Sequence, residues 1–291
     1  MKNLSNKISN VRLLALAMFL TCLAACAQVA SPAPAKVEAV AATPAPMSVR
    51  QDAPLQYAPE PTRSEIKAVL APGQALQIRN EFGDVRLRFG GFEHSVEITA
   101  VAQSPIGQTM PVVRFDAPSA TISTALPDVS LPVLGQRIDI VVWVPEKHRV
   151  KVNTLRGLVE LRGVRSDVVV RSDSGDITAR GVQGALDIET GSGAIEAAFS
   201  NHPVSAPQRV VTRTGAITVS FGPELNAELA LATSALIATE YSVEITQKPG
   251  QEPNKTGIVK IGSAAKTNLI EISSKRGELR LFRRQAFIEA E

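Results

Sequence analysis

The stretch RSDSGDITARGVQGALDIETGSGAIEAAF, Arg171 to Phe199, says one thing twice: Gly175-Asp-Ile177 in its first half answers Gly193-Ala-Ile195 in its second. Gly157, Gly175 and Gly193 fall 18 residues apart, Gly215 follows after 22, and Ala235 takes the glycine's place 20 later. Gly83 and Gly277 open outlying copies. Two residues after each comes a branched apolar side chain: Val85, Val159, Ile177, Ile195, Ile217, Ile237 and Leu279. Two further on stand Leu87, Leu161, Ala179, Ala197, Val219, Thr239 and Leu281, with mostly polar residues such as Arg86, Glu160 and Glu196 between.

Alternation with a period of two marks a strand with one buried face. The glycine before it suits a tight corner or a close backbone approach. Each 18-residue unit holds a second apolar pair, Val150/Val152, then Val168/Val170, then Leu186/Ile188, so one unit reads as strand, turn, strand, turn. A single unit cannot bury its apolar face, whereas stacked copies bury it continuously. The expected fold is therefore all-β, a β-solenoid (β-helix-like) of roughly 18–22-residue coils, with Val159, Ile177, Ile195, Ile217 and Ile237 as its core ladder. An antiparallel sandwich of hairpins is the competing architecture, and the even spacing favours the solenoid. Beyond Phe221 the alignment slips, since Leu229 and Leu231 fit the inward register one residue off.

The rest of the chain divides around this repeat. Residues 63–149 contain strand-like stretches without the period, such as RIDIVVWVP, and are expected to form an N-terminal β-section that caps or begins the solenoid of residues 150–284; residues 285–291 are a tail. Residues 1–25 have the parts of an export signal, a basic start and a 13-residue apolar run from Leu13 to Ala25. That run is shorter than the roughly 20 residues a spanning helix needs. It ends in Leu23-Ala24-Ala25-Cys26, which resembles the lipobox of bacterial lipoproteins, a family in which cleavage precedes a lipid-modified cysteine. The alternative is an ordinary signal peptide cut at Ala25-Cys26-Ala27. Cys22 and Cys26 are the only cysteines, so a chain lipidated at Cys26 would hold together without disulfides. Residues 26–62 then form an Ala/Pro-rich tether, with prolines at 32, 34, 44, 46, 54, 59 and 61.

The formal charge of +3 comes from Lys2, Lys7 and Arg12 in the signal; the remainder balances to zero, which leaves no electrostatic footprint for nucleic acid. "NEFGDVRLRFG", "RIDIVVWVPEKHRVKVNTLRGLVELRGV", "RSDSGDITARGV" and "NLIEISSKRGELRLF" resemble the bacterial domain of unknown function numbered 4097 (DUF4097), often labelled "putative adhesin". The likeness spans roughly residues 64–284. It implies a β-strand repeat, and it transfers no catalytic residue.

A search for chemistry finds little. His94, His148 and His202 are scattered, with no second His or Cys at ligand spacing. No nucleophile elbow or phosphate loop is present, and no cofactor is expected. The best acidic constellation is Asp167, Asp173 and Asp176 with Asp187 and Glu189 one coil later, the arrangement a β-helix polysaccharide enzyme would use. No matching basic cluster for a uronate is visible beside it, so these acids are expected to be turn and surface groups. Phe199, Phe221 and Tyr241 share one offset, six residues after the repeat glycine or its stand-in, with Phe89 at the same place in an outlying copy. They are expected to stack in the core, the alternative being an outward platform for sugar rings. The whole predicts a non-enzymatic lipoprotein of the cell envelope, facing the periplasm from the outer membrane if the cell is Gram-negative. Its repeat would act as a scaffold or adhesin-like surface, with cell-wall polysaccharide or another envelope protein as partner. A carbohydrate-active β-helix enzyme and an envelope-stress regulatory partner are the alternatives.

Overall fold

The computed structural model describes residues 60–126, 134–199, 206–263 and 268–284. The expected signal, Cys26, the expected tether before residue 60, His202 and the expected tail of residues 285–291 lie outside them. All regular structure among the described residues is β. The first part holds β1 (Thr62–Val69), β2 (Leu76–Phe82), β3 (Val85–Phe89), β4 (Ser95–Gln103), β5 (Val112–Asp116), β6 (Thr121–Ala125) and β7 (Arg137–Val144). The even repeat supplies β8 (Val150–Arg156) and β9 (Val159–Arg162), β10 (Val168–Ser174) and β11 (Ile177–Val182), then β12 (Leu186–Ser192) and β13 (Ile195–Phe199). After it come β14 (Gln208–Thr212), β15 (Ile217–Phe221), β16 (Ala227–Thr233) and β17 (Ile237–Thr239). The chain finishes with β18 (Glu244–Gln247), β19 (Lys255–Ile261), β20 (Leu269–Ser274) and β21 (Leu279–Arg283).

These strands form two large mixed sheets, neither closed on itself. The ten-stranded sheet has the order β1-β4-β7-β3-β9-β11-β13-β15-β21-β17, the eleven-stranded sheet β18-β19-β16-β20-β14-β12-β10-β8-β2-β6-β5. From β8 to β15 the chain crosses from one sheet to the other at every turn, and each strand pairs in parallel with the one two places on. The period of 18 therefore becomes one step along both sheets. In the ten-stranded sheet the register lines up Ile140, Val85, Val159, Ile177, Ile195, Ile217, Leu279 and Ile237. In the other it lines up Ile122, Ile78, Val152, Val170, Ile188, Val210, Ile272 and Leu231. Both rows belong to a single apolar cluster; only Ile237, on an edge strand, is incompletely buried. Burying such a side chain contributes about 1.5–3 kcal/mol, and the rows repeat that gain at each step.

Chain order and spatial order part company at both ends. β2 and β3 lie directly against β8 and β9, ahead of β6 and β7. β20 and β21 insert between β14/β15 and β16/β17. The glycines show the consequence. A Cβ on Gly157 would collide with the carbonyl of Gly83, one on Gly175 with Gly157, one on Gly193 with Gly175, one on Gly215 with Gly193, and one on Gly277 with Gly215. These glycines thus stack backbone on backbone, and Gly277 lands on Gly215 although Ala235 lies between them in sequence. Ala235 follows a turn one residue shorter, four residues from Thr233 to Ile237 against five from Thr212 to Ile217, which accounts for the slipped register of Leu229 and Leu231.

Beneath the glycines runs a second column that the Gly-plus-two pattern did not reveal. Asn80, Thr154, Ser172, Thr190, Thr212, Ser274 and Thr233 occupy neighbouring register positions, and all are buried. Six of them sit three residues before a repeat glycine. Ser274 Oγ donates to the Gly215 carbonyl at 2.9 Å and accepts from Gly277 N at 2.8 Å, and Thr233 Oγ1 donates to the Gly277 carbonyl at 2.7 Å. Thr190 and Thr212 donate likewise to Gly175 and Gly193. Small hydroxyl side chains satisfy backbone groups that the turn would otherwise leave buried and unpaired. Ser172 differs, with no hydrogen-bond partner for its Oγ.

Candidate functional site

The outward residues of β10, β12, β14 and β20 lie side by side because a parallel ladder sets equivalent positions next to one another. One row reads Asn153, Arg171, Glu189, Val211, Ser273. The adjoining row includes Asp187, Arg209 and Glu271. Over this face lies a trough of about 570 Å³, lined among others by Asn153, Arg171, Asp173, Glu189, Arg209 and Arg213, with Lys275 and Pro253 at its rim. Pro253 belongs to the β18–β19 connection, which is tied down by Glu252, whose Oε1 accepts from Arg276 Nε at 2.7 Å, and by Asn254 N donating to Ser234 Oγ at 3.2 Å.

The charges on this face interlock across neighbouring strands. Arg171 pairs with Asp187 and lies 3.6 Å from Glu189. Arg209 pairs with Glu189 at 2.7 Å and lies 3.7 Å from both Asp187 and Glu271. The Glu189 carboxylate raises the Arg209 pKa above the ordinary guanidinium value, against the opposing effect of partial burial. Arg213 and Lys275 stand at the end of the face without an ion pair among the described residues. Their strands remain joined there, since Lys275 N donates to the Thr212 carbonyl and Arg276 N to the Arg213 carbonyl. Between Asp173 and Arg213 the intervening strand has Gly191, and the Arg213 guanidinium lies over it, 3.6 Å from where a Gly191 Cβ would stand.

The five acids picked out in the sequence are thereby placed. Asp187 and Glu189 neutralise arginines. Asp167 Oδ1 accepts from Ala185 N at 2.9 Å, and Asp176 Oδ1 accepts from Ala194 N at 2.7 Å, each bracing the turn of the next repeat. Asp173 is exposed at the trough. The basic cluster that the linear sequence hid is present: Arg171, Arg209, Arg213 and Lys275 come from three strands and the turns beyond them, and only the ladder unites them. Among the described residues no group of three or more His, Cys, Asp or Glu is placed to hold a metal ion.

The structure also corrects the view of scattered histidines. His94 Nδ1 lies 2.8 Å from His148 Nε2, and His148 Nδ1 lies 2.8 Å from the Gln74 carbonyl. Because a carbonyl only accepts, His148 Nδ1 carries a hydrogen and donates it to Gln74. The pair joins the β3–β4 turn to the β7–β8 turn, 54 residues away, a separation no local spacing rule detects.

The aromatic residues divide. Phe199 and Phe221 are buried with rings stacked 5.6 Å apart, and Tyr241 meets Phe221 edge-on at 6.0 Å. Arg283 lies over the Tyr241 ring, whose hydroxyl pKa is raised mainly by burial. Phe89 is 38% exposed, and the Arg165 guanidinium covers its ring at 4.1 Å. Phe89 stands apart because Gly163 and Gly181 occupy the equivalent places in the repeats between.

No family model and no curated protein matches the chain, so the resemblance to DUF4097 gains no support there. Similar solved structures include two whose own names mention adhesion. One is a "putative cell adhesion protein" from Clostridium sporogenes, with a TM-score of 0.46 and 10% identity over 77% of this chain and 100% of that one. The other is a "putative adhesin" from Bacteroides fragilis, with a TM-score of 0.29 and 10% identity over 77% of this chain and 97% of that one. At such scores the likeness assigns neither fold nor function.

Proposed function

We propose that this protein is a non-catalytic, lipid-anchored protein of the cell envelope whose alternating strands form a β-solenoid that presents a binding surface. The observation that bears most on this is the disposition of the acids. A glycan-cleaving site needs two carboxyl groups free to donate and accept protons, whereas Asp187 and Glu189 are held by arginines, and Asp167 and Asp176 by backbone amides. What the repeat offers instead is a polar trough on a stiff ladder, a geometry suited to holding an extended ligand. The solenoid description rests on the parallel alternation from β8 to β15, and the anchor on Leu23-Ala24-Ala25-Cys26. Two acyl chains suffice for stable attachment, and the Ala/Pro-rich segment would hold the domain off the membrane.

The test has two arms. Cells producing the protein are labelled with a palmitate analogue; label on the wild type and none on Cys26→Ser is expected, and equal labelling refutes the anchor. Purified protein is then incubated with envelope preparations from the same cells. Retention without release of reducing sugar ends is expected, and either sugar release or no retention on any fraction overturns the assignment as a binding protein.

A further inference from the structure

We propose that the trough on the outer face of the eleven-stranded sheet binds a carboxylated polysaccharide, with Arg213 and Lys275 receiving its carboxylates. The proposal deepens the binding-surface reading above and rests on it. Four cations, Arg171, Arg209, Arg213 and Lys275, line the trough with the carboxylates Asp173 and Glu189, and the neighbouring Asp187 and Glu271 bring this face to charge balance. The charge is spread unevenly along it. Arg171 and Arg209 are committed to Asp187, Glu189 and Glu271, while Arg213 and Lys275 are exposed and carry no ion pair among the described residues. Lys275 does feel Glu252, but that carboxylate is hydrogen-bonded to Arg276.

Arg213 and Lys275 follow Thr212 and Ser274, which are register partners, so their backbones stand about one strand spacing apart, roughly 4.8 Å. Two cations at that interval can share one carboxylate or take successive ones along a chain. The Arg171–Asp187–Arg209–Glu189 network beside them is already paired, so the entropy cost of binding falls mainly on Arg213 and Lys275. Gly191 lets the Arg213 guanidinium lie low across the trough, Pro253 lines it, and Asn153 and Ser273 supply polar contacts for hydroxyl groups at opposite ends of the row.

The class of ligand follows from this lining. Val211 and Pro253 are the largest apolar residues in it, too little for the buried aromatic or aliphatic anchor that a protein partner uses. It has no aromatic side chain on which bases could stack, as single-stranded nucleic acid requires. A glycan needs neither. Arginine binds a carboxylate through two parallel hydrogen bonds, which gives the site directionality that lysine alone lacks.

The experiment titrates the full-length protein, in detergent, with polygalacturonate and polymannuronate, with methyl-esterified polygalacturonate and polyphosphate as comparison polymers. Wild type is expected to bind at least one uronate polymer, and binding should weaken as salt rises. Arg213→Ala and Lys275→Ala should each weaken binding about tenfold, the scale of one charge-assisted hydrogen bond, with unchanged melting temperature because neither residue is paired. Arg213→Lys should restore part of the loss and Arg213→Glu none. Methyl esterification should abolish binding. No binding to either uronate polymer, undiminished binding by the double alanine variant, equal affinity for the esterified polymer, or tighter binding to polyphosphate would each overturn the proposal. Loss of uronate binding in a protein still retained on envelope preparations would sink this inference alone. Uronate binding with release of sugar ends would leave the site standing and remove the non-catalytic reading.

Discussion

Gly215→Ala separates two reasons for a glycine, and the structure says which applies. Gly215 has no left-handed φ, unlike Gly83 at 119° or Gly157 at 112°, so alanine is conformationally acceptable there. The obstacle is the neighbouring turn: an added Cβ would drive into the carbonyl oxygen and carbon of Gly193 and come within 3.1 Å of Ala194 N. Those are backbone atoms, themselves stacked on Gly175, and no side chain can rotate away to relieve the contact. Overpacking where side chains can adjust typically costs 1–3 kcal/mol. Here the strand pair β13/β15 must separate or the turn must reshape, which also disturbs the hydrogen bond from Gly215 N to Thr212 Oγ1 at 3.2 Å. A cost of about 3 kcal/mol or more is expected, at the top of that range. For a domain above 150 residues this lowers Tm by about 6–12 °C, at 2–4 °C per kcal/mol. Gly250→Ala is the matched control. Gly250 has φ of 82° with nothing within 4 Å of its would-be Cβ, so it should lose only the 1–2 kcal/mol of a left-handed alanine. Denaturant unfolding followed by circular dichroism measures both. A Gly215→Ala cost equal to or below that of Gly250→Ala would refute the stacked-glycine reasoning.

Two further outcomes follow from the same packing. Phe221→Ala removes a fully buried ring between Phe199 and Tyr241 and should cost about 3–5 kcal/mol by denaturant unfolding; a loss under 1 kcal/mol would mean the rings do not pack as a column. Glu160 has its pKa lowered first by its hydrogen bond from Arg88, with Arg86 and Arg162 adding attraction. Its folded pKa lies below the unfolded one, so its stabilisation is complete above the ordinary glutamate value of about 4.3 and is lost as pH falls through the lowered value. Unfolding midpoints compared across that acid window should fall less steeply for Glu160→Gln than for wild type, and parallel curves would exclude the linkage.

The all-β class, the inward row Val159, Ile177, Ile195, Ile217 and the place of the glycine turns are legible in the primary structure, because each follows from a local period that a strand must obey. A further local signal is the Ser, Thr or Asn three residues before each repeat glycine, visible as S-D-S-G, T-G-S-G, T-R-T-G and S-K-R-G. Which copy lies beside which emerges only in the packed fold. Inward Val, Ile and Leu are interchangeable in a stacked row, so the period fits equally well whether β20 and β21 follow β17 or insert beside β14 and β15. The hidden basic cluster and the His94–His148 contact have the same origin. Arg171, Arg209, Arg213 and Lys275 spread over more than one hundred residues of chain, and only the register of parallel strands, each step about 4.8 Å from the last, gathers them on one face.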